Sequence, residues 1–229
     1  MSVRFAVMHH SWRRIGFLHW PLDPAKVQRL LPPRLAVDTF EGRAYAGVIP
    51  FQLVIRLPGP LAVPVAFELP EVNLRTYVRG PDGGRGIWFF SLDVTRRWLA
   101  VAARLTYRIP YFLADIRLQR FAGALSFESR RLWPGRPGAH CRVALELGPE
   151  VLPTELDTFL TDRLRLYTAF GRRLFVAPVE HAPWRLRKAR VLECEEDLLP
   201  AAGLPRPAGA PAALFSLGTD VRFGAPRPV

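Results

Sequence analysis

Lysine and cysteine are both scarce in this chain of 229 residues. Its two cysteines, Cys141 and Cys194, are too few for a disulfide framework, and we expect both to be buried free thiols. No histidine pair stands with a carboxylate at a metal-binding interval, so we expect neither a metal site nor a cofactor. The two lysines are Lys26 and Lys188, and arginine therefore supplies nearly all of the positive charge.

Long apolar runs are also missing. Pro60, Pro64 and Pro70 interrupt the most hydrophobic stretch, so no run approaches the roughly 18 residues that a membrane-spanning helix needs. Residues 1–14 include histidines, a tryptophan and arginines, where a signal peptide would need an apolar core. We therefore expect a cytoplasmic protein with no membrane partner.

The net charge of +12 and the pI near 11.0 are typical of proteins that bind nucleic acids. The arginines are nevertheless scattered along the whole chain, and their densest groups contain no known nucleic-acid-binding motif: 96–97, 130–131, 172–173 and 185–190. We expect no specific nucleic-acid partner and keep binding through the basic surface as a less favoured alternative. Whether the chain forms a homo-oligomer stays open.

Short segments rich in β-branched and aromatic residues alternate with turn-forming residues along the chain. This pattern predicts a mainly β (α+β) fold in a single domain over residues 1–229, with 49% apolar residues to form its core. The predicted strands are 35–39, 44–57, 71–79, 86–93, 100–107, 116–121, 124–131, 140–147, 174–179, 184–195 and 214–223.

Two segments have helical patterns. The first begins with Asp23 as N-cap and Pro24 in the first turn, and the second runs from Thr154 to about residue 170. Arg163 falls inside the apolar stripe of the second helix. It either pairs at the helix margin with a carboxylate, which we slightly favour, or points into a cavity together with Tyr167.

Large polar side chains occupy every second position of one predicted strand. Glu71, Asn73, Arg75 and Tyr77 share one face of it, while Val72, Leu74, Thr76 and Val78 share the other. Such a strand either lies at a solvated edge or lines the cavity of a wide barrel. We favour the cavity, in which an acid, an amide, a guanidinium and a phenol converge.

Several blocks resemble one known family in the order in which they occur: 70–78, 86–93, 103–111 and 181–184. The chain resembles the YqjF-like family, domain of unknown function 2071 (DUF2071), which is similar in turn to acetoacetate decarboxylase. This resemblance implies a wide antiparallel β-barrel with an internal cavity and two or three flanking helices.

The resemblance also bears on the chemistry. Acetoacetate decarboxylases carry two adjacent lysines after a proline, and one of them forms an imine with the substrate. In this chain Tyr111 and Phe112 follow Pro110, and neither can form an imine. Lys26 is expected on the surface of the first helix. Lys188 is expected at a solvated basic edge, although its strand position leaves the interior open.

The expected site therefore works without an imine. We expect Glu71 and Arg75 to be catalytic, and the expected ligand-binding residues are Asn73, Tyr77, Arg104, Tyr111, Arg163, Tyr167 and His181. The chemistry would be a lyase- or isomerase-like acid/base reaction on a small carboxylate in a polar cavity. The alternatives are a barrel that binds a small organic ligand without turnover and a buried polar network that binds nothing. Burial would raise the pKa of Glu71, whereas a nearby arginine would lower it. The sequence therefore leaves the protonation state of Glu71 undecided.

Overall fold

Strands dominate the computed structural model, which describes residues 3, 5–57, 65–121, 123–135 and 138–229. The strands in these ranges are β1 Met8–Leu22, β2 Ala36–Val37, β3 Ala44–Leu57, β4 Val65–Arg79, β5 Arg85–Val94, β6 Tyr111–Phe121, β7 Ala124–Trp133, β8 His140–Glu150, β9 Arg165–Phe170, β10 Arg173–His181, β11 Leu186–Glu196, β12 Ala212–Phe223 and β13 Arg227–Pro228. The helices are α1 Pro24–Gln28, α2 Arg97–Thr106, α3 Glu155–Thr161 and α4 Leu198–Ala201. Pro60 and Pro64 lie outside the described residues.

Nine strands close into a barrel in the order β5-β6-β7-β8-β11-β12-β1-β3-β4 and back to β5. Most neighbours are antiparallel, but β5 runs parallel to both β6 and β9. The predicted barrel fold is therefore confirmed, and its mostly antiparallel sheet contains the parallel pair β5–β6. The cause is α2, because a parallel pair such as β5 and β6 needs a crossover connection and a helix supplies it here.

A second, smaller ring shares part of this barrel. β9 pairs with the first half of β5 and β10 with the last residues of β12, so that β5-β9-β10-β12-β1-β3-β4 also closes, as a ring of seven strands. Strands β1, β3 and β4 form the wall common to both rings. One face of this wall therefore looks into the smaller ring and the other toward β6, β7 and β8.

The alternation along β4 has the structural effect that the sequence predicts. Glu71, Asn73 and Arg75 line a cavity on one face of the common wall. Val72 and Leu74, on the other face, are fully buried in an apolar cluster with side chains of β6 and β8. The strand is therefore an interior wall and not a solvated edge.

Two of the predicted elements are wrong over part or all of their length, and one long strand was missed. The predicted strand 100–107 is wrong, because this segment lies within α2, where Leu99, Ala103 and Thr106 face the cavity at helical spacing. The predicted second helix is too long, because α3 ends at Thr161 and the residues from Arg165 onward form β9. Strand β1 was not predicted at all, since its first half is rich in histidine and arginine.

Both cysteines are free thiols, as predicted, although Cys194 is only half-buried. Within the described ranges, none of the helices combines the length and hydrophobicity needed to cross a bilayer.

Candidate functional site

A cavity of about 170 Å³ lies inside the seven-strand ring, and all seven strands contribute to its wall. Helix α2, the first residue of β6, the last residue of α3 and several loop residues complete the lining. Most of the lining side chains are apolar, so the cavity is less polar than the sequence led us to expect. Its predicted polar members are Glu71, Asn73, Arg75, Tyr111, Arg163 and His181.

Arg75 is buried in this cavity without a counter-ion. Its Nη2 donates to the carbonyl oxygen of Leu160 at 3.0 Å, and its Nε donates to the hydroxyl of Tyr77 at 3.4 Å. Neither partner is charged, and Arg75 forms no ion pair with any carboxylate in the described ranges. Only 5% of the residue is exposed. A buried guanidinium of this kind is free to bind an anionic ligand.

Glu71 and Tyr111 form a neighbouring pair on the cavity wall. The hydroxyl of Tyr111 donates to Oε2 of Glu71 at 3.1 Å. Burial raises the pKa of Glu71 to about 8, against the opposing effect of the Tyr111 hydrogen bond. The carboxyl group is therefore protonated near neutral pH, so it can donate a proton or a hydrogen bond to a ligand.

Asn73 lies between these two groups on the same face of β4. Its side chain is buried, and its Oδ1 has no hydrogen-bond partner among the described residues. A buried amide oxygen that lacks a donor costs free energy in the empty protein. A ligand with a hydroxyl or amine group would satisfy this atom.

Arg163 reaches the cavity from the segment after α3. Its Nη1 forms a buried ion pair with Oδ2 of Asp38 at 2.7 Å, and its Nε donates to the carbonyl of Phe159. The partner is thus Asp38, and Nη2 of Arg163 is buried without a hydrogen bond to any part of the chain that the structure describes. The sequence offered two alternatives for Arg163, an ion pair with a carboxylate or a place in the cavity. In the structure it has both.

Tyr77 lies outside the cavity lining, in the layer beneath it. Its hydroxyl donates to the carbonyl of Leu160 at 2.6 Å and lies 2.6 Å from Nε2 of His19. Because the tyrosine proton goes to the carbonyl, Nε2 of His19 must carry the proton in the second contact. Burial and the nearby Arg75 hold the pKa of His19 well below its usual range, so this histidine is neutral. Tyr77 and His19 thus position Arg75.

Arg104 and Tyr167 are the other two predicted ligand-binding residues that do not line the cavity. Nη1 of Arg104 donates to the backbone carbonyl of Tyr111 at 2.9 Å, which attaches α2 to β6. Tyr167 points to the opposite side of β9, where its hydroxyl donates to the carbonyl of Gly84 at 2.9 Å. A Cβ atom at Gly86 would lie 2.7 Å from its ring. In the structure, both side chains contact backbone carbonyls of the protein and do not face the cavity.

His181 stands at the end of β10 and lines the cavity. Its Nδ1 donates to the carbonyl of Ala182 at 2.8 Å, and burial lowers its pKa. The neutral ring therefore presents Nε2 as a proton acceptor. This geometry is compatible with the ligand-binding role that the sequence predicts for His181 and also with a role as a base.

His10 is a polar residue of the lining that we did not predict. Burial, with a smaller effect from His9, lowers the pKa of His10 to about 3, and its Nε2 has no hydrogen-bond partner within the described ranges. The alternation of His10 and Trp12 in β1 was the signal, but it could be recognised only once this segment was known to be a strand. No group of three or more potential metal ligands occurs among the described residues.

Neither lysine of the chain is part of the cavity. Lys26 and Lys188 are both exposed, and the lining at the start of β6 contains Tyr111. The side chains that the structure does bring together in the cavity can bind an anion, donate a proton and accept one.

Comparison with known proteins agrees with the predicted resemblance. Residues 9–220 match the family DUF2071, described as an uncharacterized conserved protein. The uncharacterized protein YqjF of Bacillus subtilis (strain 168) is 32% identical over 219 residues, which cover 95% of this chain and 90% of that protein.

Solved structures with the same fold are more distant in sequence. The enduracididine biosynthesis enzyme MppR complexed with pyruvate has a TM-score of 0.67 at 15% identity, over 98% of this chain and 91% of that one. An acetoacetate decarboxylase from Legionella pneumophila has a TM-score of 0.62 at 15% identity, over 100% of this chain and 90% of that one. An acetoacetate decarboxylase-like enzyme from Sphingomonas wittichii RW1 has a TM-score of 0.63 at 16% identity, over 100% and 94%. The fold is thus of the acetoacetate decarboxylase-like type.

Proposed function

The chain belongs to the DUF2071 family, and from that premise we propose that its cavity binds a small organic acid through Arg75. The observation that supports this most strongly is the burial of Arg75 with no carboxylate beside it in the described structure. The carboxylate of a ligand is the natural partner for such a guanidinium, because the two groups form a paired, charge-assisted hydrogen bond.

The neighbouring groups suit an acid that carries a second oxygen function. Glu71, protonated near neutral pH, would donate to an oxo oxygen, and the free Oδ1 of Asn73 would accept from a hydroxyl group. A small oxo or hydroxy acid meets all three requirements. Pyruvate, the ligand in the MppR complex, is an oxo acid, which supports this class of compound for a similar fold.

We further propose acid/base chemistry without an imine. Both lysines are exposed, so no amine is available in the cavity to attack a carbonyl carbon. For an oxo acid held by Arg75, Glu71 would give its proton to the oxo oxygen while His181 removes a proton from the adjacent carbon. The product is the enol, and the two residues return to their starting states when the reaction reverses.

Calorimetric titration with 2-oxobutyrate tests the binding step. We expect heat of binding for the wild-type protein and for the control Arg120→Gln, which removes an exposed arginine from β6. Arg75→Gln should bind at least tenfold more weakly, because a charge-assisted hydrogen bond contributes about 1.5–3 kcal/mol. Equal affinities for Arg75→Gln and the wild type would contradict the proposal.

The second candidate is a barrel that binds the acid without turnover. It is supported by Tyr77 and Arg104, whose side chains donate to backbone carbonyls and so leave fewer polar groups for catalysis. Exchange of the carbon-bound hydrogens of 2-oxobutyrate in D2O, followed by NMR, separates the two candidates. An enzyme should accelerate the exchange, Glu71→Gln should abolish the acceleration, and Glu68→Gln, an exposed carboxylate of β4, should retain it. Binding without accelerated exchange would identify the non-catalytic barrel.

A further inference from the structure

We infer that the acid has an apolar body about as large as a benzene ring, which packs against the apolar cavity side chains of β1, β3 and β12. This inference rests on the proposed function, since Arg75 would hold the carboxylate of the same molecule. It concerns the substrate class, which the small oxo acids used to test binding do not define.

The polar and apolar groups of the cavity come from different parts of the fold. Arg75 and Glu71 belong to β4, and Phe51 of β3 pairs with Glu71 in the register of the sheet. From Phe51, the lining continues along β3 through Leu53 to Ile55. Four residues of strand span about 13 Å, so an apolar surface extends well beyond the level of Glu71.

Aromatic rings make this part of the cavity rigid. Trp12 stacks on Trp184 with 6.1 Å between the ring centroids and contacts Phe51 edge-on at 5.6 Å. Phe223 contacts the same tryptophan at 6.1 Å. All four rings line the cavity. Rings held in this way offer flat apolar faces, which suit a hydrocarbon chain or an aryl group.

The volume sets the size of the apolar body. A cavity of about 170 Å³ is close to the roughly 150 Å³ of an apolar protein cavity that admits benzene. A two- or three-carbon acid would leave most of the apolar lining without contact. Burial keeps His10 neutral in this region, so it adds no charge that would oppose an apolar group.

A homologous series of acids tests the inference. Titration with acetate, butyrate, hexanoate, decanoate and phenylacetate should show affinity rising about fourfold per methylene up to hexanoate. Phenylacetate should bind as tightly as hexanoate, and decanoate more weakly because it exceeds the volume. Affinity that stays constant or falls from acetate to hexanoate would overturn the inference but leave acid binding intact. Failure of every acid to bind would instead contradict the proposed function.

A substitution on α2 locates the apolar body. Ala103 lines the cavity, so Ala103→Leu should fill the space and weaken hexanoate binding at least tenfold while butyrate binding changes less than twofold. Val101→Leu, on the same helix but outside the lining, is the matched control and should leave both affinities unchanged. Unchanged hexanoate binding by Ala103→Leu would place the apolar body elsewhere and overturn the inference.

Discussion

Arg75, the proposed binding residue, illustrates how a functional side chain can oppose the stability of the fold. Its guanidinium is almost fully buried, and it donates hydrogen bonds to a tyrosine hydroxyl and a backbone carbonyl. Burial of a charge without an opposite charge destabilises a folded protein, and such residues are retained at functional sites. The empty protein is therefore expected to be less stable than it would be with an apolar residue at this position.

Replacement of Arg75 by methionine tests this balance. Arg75→Met should unfold at the same temperature as the wild type or at a higher one, because Tyr77 still donates to the Leu160 carbonyl. Acid binding should fall at least tenfold in the same variant. Thermal unfolding and calorimetric titration measure the two effects. A strongly destabilised Arg75→Met that still binds acids would show that the arginine is structural.

Glu71 gives a prediction about pH. Its pKa rises from 4.5 in an unfolded chain to about 8 in the folded protein, so the folded state holds the extra proton between these values. Stability from this group is complete below pH 4.5 and is lost as the pH rises toward 8, by about 1.4 kcal/mol per pH unit.

Glu71→Gln removes this dependence, because the amide does not titrate. The free energy of unfolding of the wild type, measured in urea from pH 5 to 8.5, should therefore fall relative to that of Glu71→Gln. Parallel curves for the two proteins would mean that the carboxyl group is already ionised at the lower pH.

The sequence revealed part of the site at this scale. Glu71, Asn73 and Arg75 were predicted from alternation within one strand, which is local information. The ion pair of Arg163 with Asp38 joins residues 125 positions apart, and nothing in either local segment indicates it. Tyr77 keeps the predicted face, but whether its hydroxyl meets a ligand or a backbone carbonyl depends on where α3 packs.

At the scale of elements, α3 holds the side chains of β4 at the candidate site in place. Thr154 and Asp157 form a capping box at its start, and the carbonyl of Leu160 near its end holds both Arg75 and Tyr77. The helix has only 7 residues, so its ends contribute much of its stability. Loss of the cap should therefore also disturb the Leu160 carbonyl, and with it the position of Arg75 in the cavity.

Thr154→Ala should destabilise the protein by about 1 kcal/mol, since it removes the side chain that caps α3. Urea unfolding measures this change, and acid binding should weaken by a few-fold because the Leu160 carbonyl becomes less fixed. Thr39→Ala, an exposed threonine outside the cavity lining, is the control and should change both quantities little. An effect of Thr154→Ala no larger than that of the control would contradict this role.

The sequence predicted the wrong secondary structure for two segments in which tertiary contacts override the local helix or strand preference. Residues 100–107 contain alanine and leucine next to valine and tyrosine, and their position as the crossover between two parallel strands decides the helix. After α3, the segment Arg165–Phe170 continues an apolar pattern that suits a helix, but pairing with β5 and β10 makes it a strand. Such pairing partners lie far away in the sequence.

At the scale of the whole molecule, β5 and β12 are the branch points of the two rings. β5 is fixed to the larger ring by a buried ion pair, in which Nε of Arg131 in β7 donates to Asp93 at 2.7 Å. Ser129 donates to the same carboxylate. The barrel type followed from the family resemblance, which is confirmed, whereas the branching depends on pairings that no local pattern indicates.

Arg131→Ala should destabilise the protein by about 3–5 kcal/mol, because Asp93 would remain buried without its partner. Arg142→Ala removes an exposed arginine of β8 that pairs with Glu128 and Glu193, and should cost less than about 1 kcal/mol. Denaturant unfolding of the two variants provides the comparison. Similar small losses would show that the buried pair does not hold β5 in place.

Binding of an acid in the cavity is the central claim, and a crystal structure of the protein grown with phenylacetate tests it most directly. We predict density for the carboxylate within hydrogen-bond distance of the Arg75 guanidinium, with the ring beside Trp12 and Phe51. A cavity free of phenylacetate at a saturating concentration, or a carboxylate bound away from Arg75, would contradict the claim.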